Sequence, residues 1–377
     1  MKESSIYIHI PFCDHKCIYC DFYSIITHEN IQSYLNALKE EIKYFANIYS
    51  EGRKFTTIFF GGGTPSLLAP HQIEEIILHL KNNFFVSDDA EITLETNPGA
   101  VDKNKLKEFV NAGINRISIG IQTFDDEELK FLTRIHNKKT AIETVWFAKE
   151  AGFKNISVDL IFNLPKQTRE KWLYNLQTAI ELPITHLSTY SLILERGTIL
   201  NKLVLDKKVV LQDEDYDAEL YELTIEFLTR NNFSQYEVSN FALNGFECMH
   251  NLAYWQYKDY LGFGTSAHSF INSKRWWNYS SLNFYIESIS KNGNAIIGEE
   301  VLTLQQRREE YLMLALRSNG LNVDEFKKLF GGEWLEQRRN LLNVYSAEGL
   351  IVQNEKAITL SPKGYLVCDE IIANLIA

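Results

Sequence analysis

Residues 5–22 read SIYIHIPFCDHKCIYCDF, a short apolar run that breaks at Pro11 into a loop carrying three cysteines. The run is rich in β-branched and aromatic residues, the pattern of a strand buried in a sheet. Five more runs of this kind follow: TTIFF (56–60), EITLET (91–96), RISIGIQ (116–122), ISVDLIF (156–162) and HLSTYSL (186–192). Their near-continuous apolar character suits parallel strands with helices on one face and a packed interior on the other. Between them apolar residues recur at helical spacing: Ile31, Tyr34, Leu35, Leu38, Ile42 and Phe45, then Ile73, Ile76, Ile77 and Leu80, then Leu106, Phe109 and Val110. Gly113 and Gly152 follow two of these segments as helix stops. About six β-α units imply a right-handed parallel sheet, so the fold class is α/β, a partial (βα)6 TIM-like barrel. In such folds the site lies at the carboxyl ends of the strands, where the cysteine loop also falls.

Three segments are expected. Residues 1–200 form the barrel. Residues 201–300 form an aromatic-rich α+β extension packed on it, opening with a charged amphipathic helix over 211–231 and including Tyr236, Tyr254, Trp255, Tyr257, Tyr260, Trp276 and Trp277. These rings serve as core filler or as walls for a planar apolar ligand. Residues 301–377 read as three helices, two short strands around Asn354–Lys356 and a helix from Ser361, a winged-helix-like unit. Such units often bind DNA, but nine Lys and Arg stand against ten Asp and Glu here, which favours a packing or lid role.

With 45% hydrophobic and 23% charged residues, the composition is that of an ordinary globular protein. The net charge of −11 argues against non-specific nucleic-acid binding. MKESSIYIHI lacks the apolar stretch of a signal peptide, and no run reaches the ~18 apolar residues of a membrane span. Three of the five cysteines are clustered, and Cys248 and Cys368 stand far apart, so no disulfide framework is expected and a cytoplasmic location is.

Cys13, Cys17 and Cys20 form CxxxCxxC. A [4Fe–4S] cube takes four ligands, so three thiolates leave one iron open. Zinc competes, with His9 or His15 closing a tetrahedron, although the second CxxC pair of a usual zinc site is missing. Electron transfer is the plain reading of an iron–sulfur cluster. An open iron suits an amino-acid chelate, and S-adenosylmethionine carries one beside a sulfonium that one electron can cleave to a 5′-deoxyadenosyl radical. Gly61, Gly62 and Gly63 end the second strand before Thr64 and Pro65, a turn whose backbone can approach a ligand closely, with Pro65 placed to start a helix. Glu95 and Gln122 end strands, and Asp159 lies within one; each is a ligand contact or a structural hydrogen bonder. Arg134 is a carboxylate partner or a solvated surface residue.

These residues carry a resemblance. YIHIPFCDHKCIYCDFYS, GGGTPSLL, LETNPG, IGIQTF, VDLIFNLPKQT, HNLAYW and GFGTSAHS together resemble the radical S-adenosylmethionine family of oxygen-independent coproporphyrinogen III oxidases, and most of all the heme chaperones within it. The likeness implies that Cys13, Cys17 and Cys20 hold the [4Fe–4S] cluster. It also implies that Tyr7, Tyr19, Gly62, Gly63, Thr64, Glu95, Gln122, Arg134 and Asp159 surround S-adenosylmethionine. The oxidases continue the motif to a further cysteine and carry an N-terminal extension; here Phe22 fills that position and twelve residues precede Cys13. The departures favour a chaperone that binds heme and passes it to heme proteins such as respiratory enzymes. Oxidative decarboxylation of coproporphyrinogen III is the alternative. The implied partners are heme, heme-accepting proteins (some of them membrane-associated) and an electron donor. Cys248, His250 and His268 are heme ligands by type, His250 and Cys248 lying in ECMHNLAYW. Each is equally readable as a packed polar residue.

Overall fold

A computed structural model describes all 377 residues. Six parallel strands lie side by side in chain order: β1 (Lys2–Ile10), β2 (Arg53–Gly62), β3 (Val86–Thr96), β4 (Arg116–Gln122), β5 (Asn155–Phe162) and β6 (His186–Ser191). At least one helix joins each to the next, giving the partial barrel. The first helix, Ile31–Tyr49, buries Tyr34, Leu35, Leu38, Ile42 and Phe45 against the sheet. Pro65 begins only a three-residue 3-10 turn, and the helix proper starts at Pro70.

The strands are less uniformly apolar than the sequence suggests. One face carries Ile6, Ile8, Ile58, Ile92, Leu94, Ile117, Ile119, Ile156 and Val158, all in the core under the helices. Alternate positions point the other way, and they are small or polar and still buried: Ser5, Thr57, Thr93, Arg116, Ser118, Ser157, His186 and Ser188. RISIGIQ, read as a continuous run, is therefore an alternating one. Helices demand an apolar outer face, whereas the inner face encloses a polar interior.

Residues 201–300 do not simply pack across the barrel; they lengthen its sheet at both edges. β7 (Ser234–Gln235) and β8 (Asn240–Ala242) follow β6, with β8 antiparallel to it. On the other side β9 (Asp259–Phe263) runs parallel to β1, then β10 (His268–Ile271), β11 (Lys274–Asn278) and β12 (Ile296–Val301) add antiparallel strands, twelve in all. The β1–β2–β9 junction is fastened by a buried ion pair between Arg53 and Asp259. Arg53 also donates to Ser4 Oγ (3.3 Å) and Asn272 Oδ1 (3.2 Å), and Lys2 reaches Asp259 at 2.8 Å.

Beyond residue 301, helices Leu304–Leu316, Val323–Phe330 and Glu333–Ala347 pack on a three-stranded sheet, β13 (Leu321–Asn322), β15 (Ala357–Leu360) and β14 (Ile351–Gln353). Their core, including Phe326, Trp334, Leu342 and Ile371, is separate from that of the barrel. No helix is long and apolar enough to cross a membrane.

Candidate functional site

The cysteine loop leaves β1 at the carboxyl edge and is clamped by the protein itself. Gly63 N–H donates to Ile10 O (2.8 Å), Thr64 N–H to Phe12 O (2.8 Å), Cys13 N–H to Ile25 O (3.0 Å) and Ile25 N–H to Pro11 O (2.8 Å). A Cβ at Gly63 would stand 2.6 Å from Phe12 O, so only glycine permits this approach. His9 ties the two ends, its Nδ1 3.1 Å from Tyr7 Oη and its Nε2 3.0 Å from Tyr23 O. Both nitrogens are thus occupied, which leaves His9 unsuited to complete a zinc site. His15 Nε2 meets Thr133 Oγ1 at 3.2 Å.

All five cysteines are free thiols. Cys13 Sγ lies 3.3 Å from Thr64 Oγ1, Arg134 Nη1 approaches Cys17 Sγ at 3.6 Å, and Cys20 N–H donates to Cys17 O (3.2 Å). Burial raises the Cys13 and Cys20 thiols, and the neighbouring thiols add to the rise in both. A bound cationic centre reverses that, since a coordinating thiol is deprotonated outright. No three His, Cys, Asp or Glu side chains are grouped to hold a single metal ion; a cube, with each sulfur on a different iron, takes more widely spread ligands. Three free thiols on one clamped loop, beside a backbone cradle that only glycine allows, fit that cluster.

Two cavities flank the loop. The smaller, about 320 Å³, is lined by Cys17, Thr64, Asn97 and Arg134 among others. Asn97 bridges it, donating to Thr64 Oγ1 (2.9 Å) and accepting from Arg134 Nη2 (2.7 Å). Arg134 is no surface arginine: it also donates to Gly120 O and turns inward over Cys17. The larger cavity, about 580 Å³, is lined by Tyr7, Gly62, Glu95 and His250, by Asp21, Phe22 and Tyr23 from the end of the cysteine loop, and by Phe59, Tyr254, Tyr260 and His268. Glu95 is the polar centre of this wall. Burial first, then the charge of Asp159, push its carboxyl up to about 8, partly opposed by the Gly62 N–H.

Four of the nine residues expected around S-adenosylmethionine line neither cavity. Asp159 accepts from Ser118 Oγ at 3.2 Å inside the barrel, and Tyr19 packs beside Leu132, Ile161 and Leu164. Gly63 shapes the cradle. Gln122 ends β4 at a register shift with φ 73°, a conformation costing a side-chain-bearing residue of order 1–3 kcal/mol.

Cys248 and His250 sit at the start of helix Met249–Trp255. Glu91 of β3 caps that helix, accepting from Met249 N–H (3.2 Å) and His250 N–H (3.0 Å), with Cys248 Sγ 3.6 Å away. Cys248 lies in an apolar cluster with Tyr236, Ala242 and Leu252, and burial pushes its thiol up to about 12. His250 is 1% exposed, and both its nitrogens are engaged: Nδ1 with Thr57 Oγ1 (2.7 Å) and Nε2 with Tyr254 Oη (3.0 Å). Burial, then Arg116, lower it to about 3, so the ring is neutral. Asn97 and Asn251 line the cavities without being expected ligand contacts, although LETNPG and HNLAYW contain them, whereas Tyr254 is one of the rings expected to wall a planar ligand.

The family model of the radical SAM superfamily matches residues 7–178, and that of the HemN C-terminal domain matches residues 302–367. The heme chaperone HemW of Bacillus subtilis is 36% identical over 97% of both chains. That of Lactococcus lactis is 35% identical over 97% of this chain and 95% of its own, and that of Escherichia coli 40% over 70% and 69%. Among solved structures, coproporphyrinogen III oxidase (HemN) from Escherichia coli, described as a radical SAM enzyme, superposes with a TM-score of 0.84 at 27% identity. The match covers all of this chain and 90% of that one.

Proposed function

Because the chain belongs to the HemW family of radical S-adenosylmethionine proteins, we propose that it is a heme chaperone, binding heme and delivering it to heme proteins such as respiratory enzymes. Cys13, Cys17 and Cys20 would hold a [4Fe–4S] cluster. Tyr7, Tyr19, Gly62, Gly63, Thr64, Glu95, Gln122, Arg134 and Asp159 would form or support the S-adenosylmethionine site. When bound, cluster and sulfonium together supply one-electron chemistry, and a separate protein must donate the electron. The chain's own residues bind and orient. Glu95 is a half-buried carboxyl on the cavity wall with no cation hydrogen-bonded to it; an ammonium group placed there ionises it and pairs with it. Arg134 and Asn97 fix the wall beside Cys17.

One observation supports the cargo reading above others: the 580 Å³ cavity runs from the end of the cysteine loop to HNLAYW and is walled by aromatic rings suited to a porphyrin. The likeness to the coproporphyrinogen oxidase structure keeps a second reading in play. Against it, Phe22, standing where the oxidases carry a further cysteine, is 61% exposed and lines the cavity. Titration of anaerobically reconstituted protein with heme, run beside a coproporphyrinogen assay, separates the two. A saturable heme complex without turnover is expected; conversion to protoporphyrinogen would reverse the assignment.

Glu95→Ala is expected to weaken S-adenosylmethionine binding by about 2–5 kcal/mol, the cost of truncating one member of a buried charged pair, or at least about thirtyfold in Kd. The iron–sulfur absorption should be unchanged. Equilibrium dialysis measures this, and wild-type affinity in the variant would remove Glu95 from the site.

A further inference from the structure

Three imidazoles line the 580 Å³ cavity; His9 is already bonded at both nitrogens, to Tyr7 and Tyr23, and the other two are in opposite states. His250 is buried, stacked on Phe59 with centroids 5.0 Å apart, and committed at both nitrogens to Thr57 and Tyr254. Coordination of iron requires a free nitrogen lone pair, so His250 would have to break one of those bonds and leave the core. His268 lines the same cavity but is exposed. Its ring stacks on Trp277, its register partner in β11, at 5.9 Å and 24°. Burial and then the charge of Arg275 lower its pKa, and no hydrogen bond contributes to the shift. The imidazole is neutral near pH 7 and its nitrogens are unclaimed.

The backbone beneath His268 is unusually fixed. A Cβ at Gly262 would lie 2.0 Å from His268 O, so the backbones of β9 and β10 touch directly. Gly262 N–H donates to Ser269 Oγ (2.9 Å) and Asn278 N–H to Ala267 O (3.0 Å). Gly264 N–H donates to the buried Glu41 carboxylate (2.9 Å), which also holds Asn278 and Tyr285. A ligand on so constrained an element is pre-organised, its ring stacked on Trp277 in a cavity that Tyr254 and Tyr260 also line.

We propose that His268, not His250, is the axial ligand to the iron of heme seated in this cavity, while His250 builds the wall; the inference rests on the heme-binding reading above. The test is hemin titration of full-length, anaerobically reconstituted wild type, His268→Ala and His250→Gln, with circular dichroism and the iron–sulfur absorption confirming the fold of each. His268→Ala should weaken binding by more than about tenfold, the low end of what disturbing even the outer partners of a metal ligand costs, and shift the Soret band. Excess imidazole, entering the space left by the truncated ring, should restore the wild-type spectrum. His250→Gln, which retains hydrogen-bonding groups, should keep the wild-type Soret position. An unchanged band in His268→Ala, a lost band that imidazole does not restore, or loss of iron ligation in folded His250→Gln overturns the assignment. Failure of the wild type to take up heme overturns the chaperone function itself.

Discussion

Cys17→Ala is expected to strip the protein of its iron–sulfur chromophore altogether. The three thiols come from one eight-residue stretch, and the other two cysteines are placed where neither can replace a lost ligand. Cys248 is fully buried at a helix start in its own apolar cluster, and Cys368 belongs to the separate C-terminal core. Two thiolates cannot hold a four-iron cube that is short of one ligand even in the intact protein. Arg134 would also lose its sulfur contact. Iron and sulfide analysis after anaerobic reconstitution, with the visible absorption, decides the matter, and Cys368→Ser serves as the control that should keep both. Full iron content in Cys17→Ala would mean that the cluster is held elsewhere.

Asp259→Ala is expected to destabilise the fold by about 3–5 kcal/mol, because it leaves the Arg53 guanidinium buried without its carboxylate. Ser4 and Asn272 remain as neutral acceptors but carry no compensating charge. Asp259 also accepts from Asn272 N–H at 3.3 Å, so the β9–β10 edge loosens with it. Denaturant unfolding measures the loss. Asp259→Asn, which keeps hydrogen-bonding capacity, should lose less. A cost below about 1 kcal/mol would class the pair with ordinary surface ion pairs.

The six barrel strands were legible because each must bury one face under helices, and β4 matches its predicted span residue for residue. β3 was read too short: it begins at Val86, and the exposed Asp88 and Asp89 disguise its first turns of pleat as loop. The polar inner face was hidden for a different reason. Periodicity reports that residues alternate, but Ser118 and Ser157 are small enough to pass within an apolar run. The edge strands could not be read at all, since β9 pairs with β1 across some 250 residues of chain and no local pattern encodes that. At the site, residue type announced the cysteines, Glu95 and His250. What type cannot show is occupancy: that His9 and His250 are already bonded at both nitrogens, or that Asn97 joins Thr64 to Arg134, depends on atoms distant in sequence.

The clamps around the cysteine loop have a bearing on how the protein meets oxygen. Its ends are set by main-chain bonds from Ile10, Phe12 and Ile25 and by the His9 bridge, whereas small zinc modules owe their very folding to the ion. Oxidative damage to the inorganic centre should therefore remain a local injury. The scaffold should keep its shape around the wound, so the metal can be rebuilt on a loop already in place, where a metal-nucleated fold would have to refold as it is reloaded.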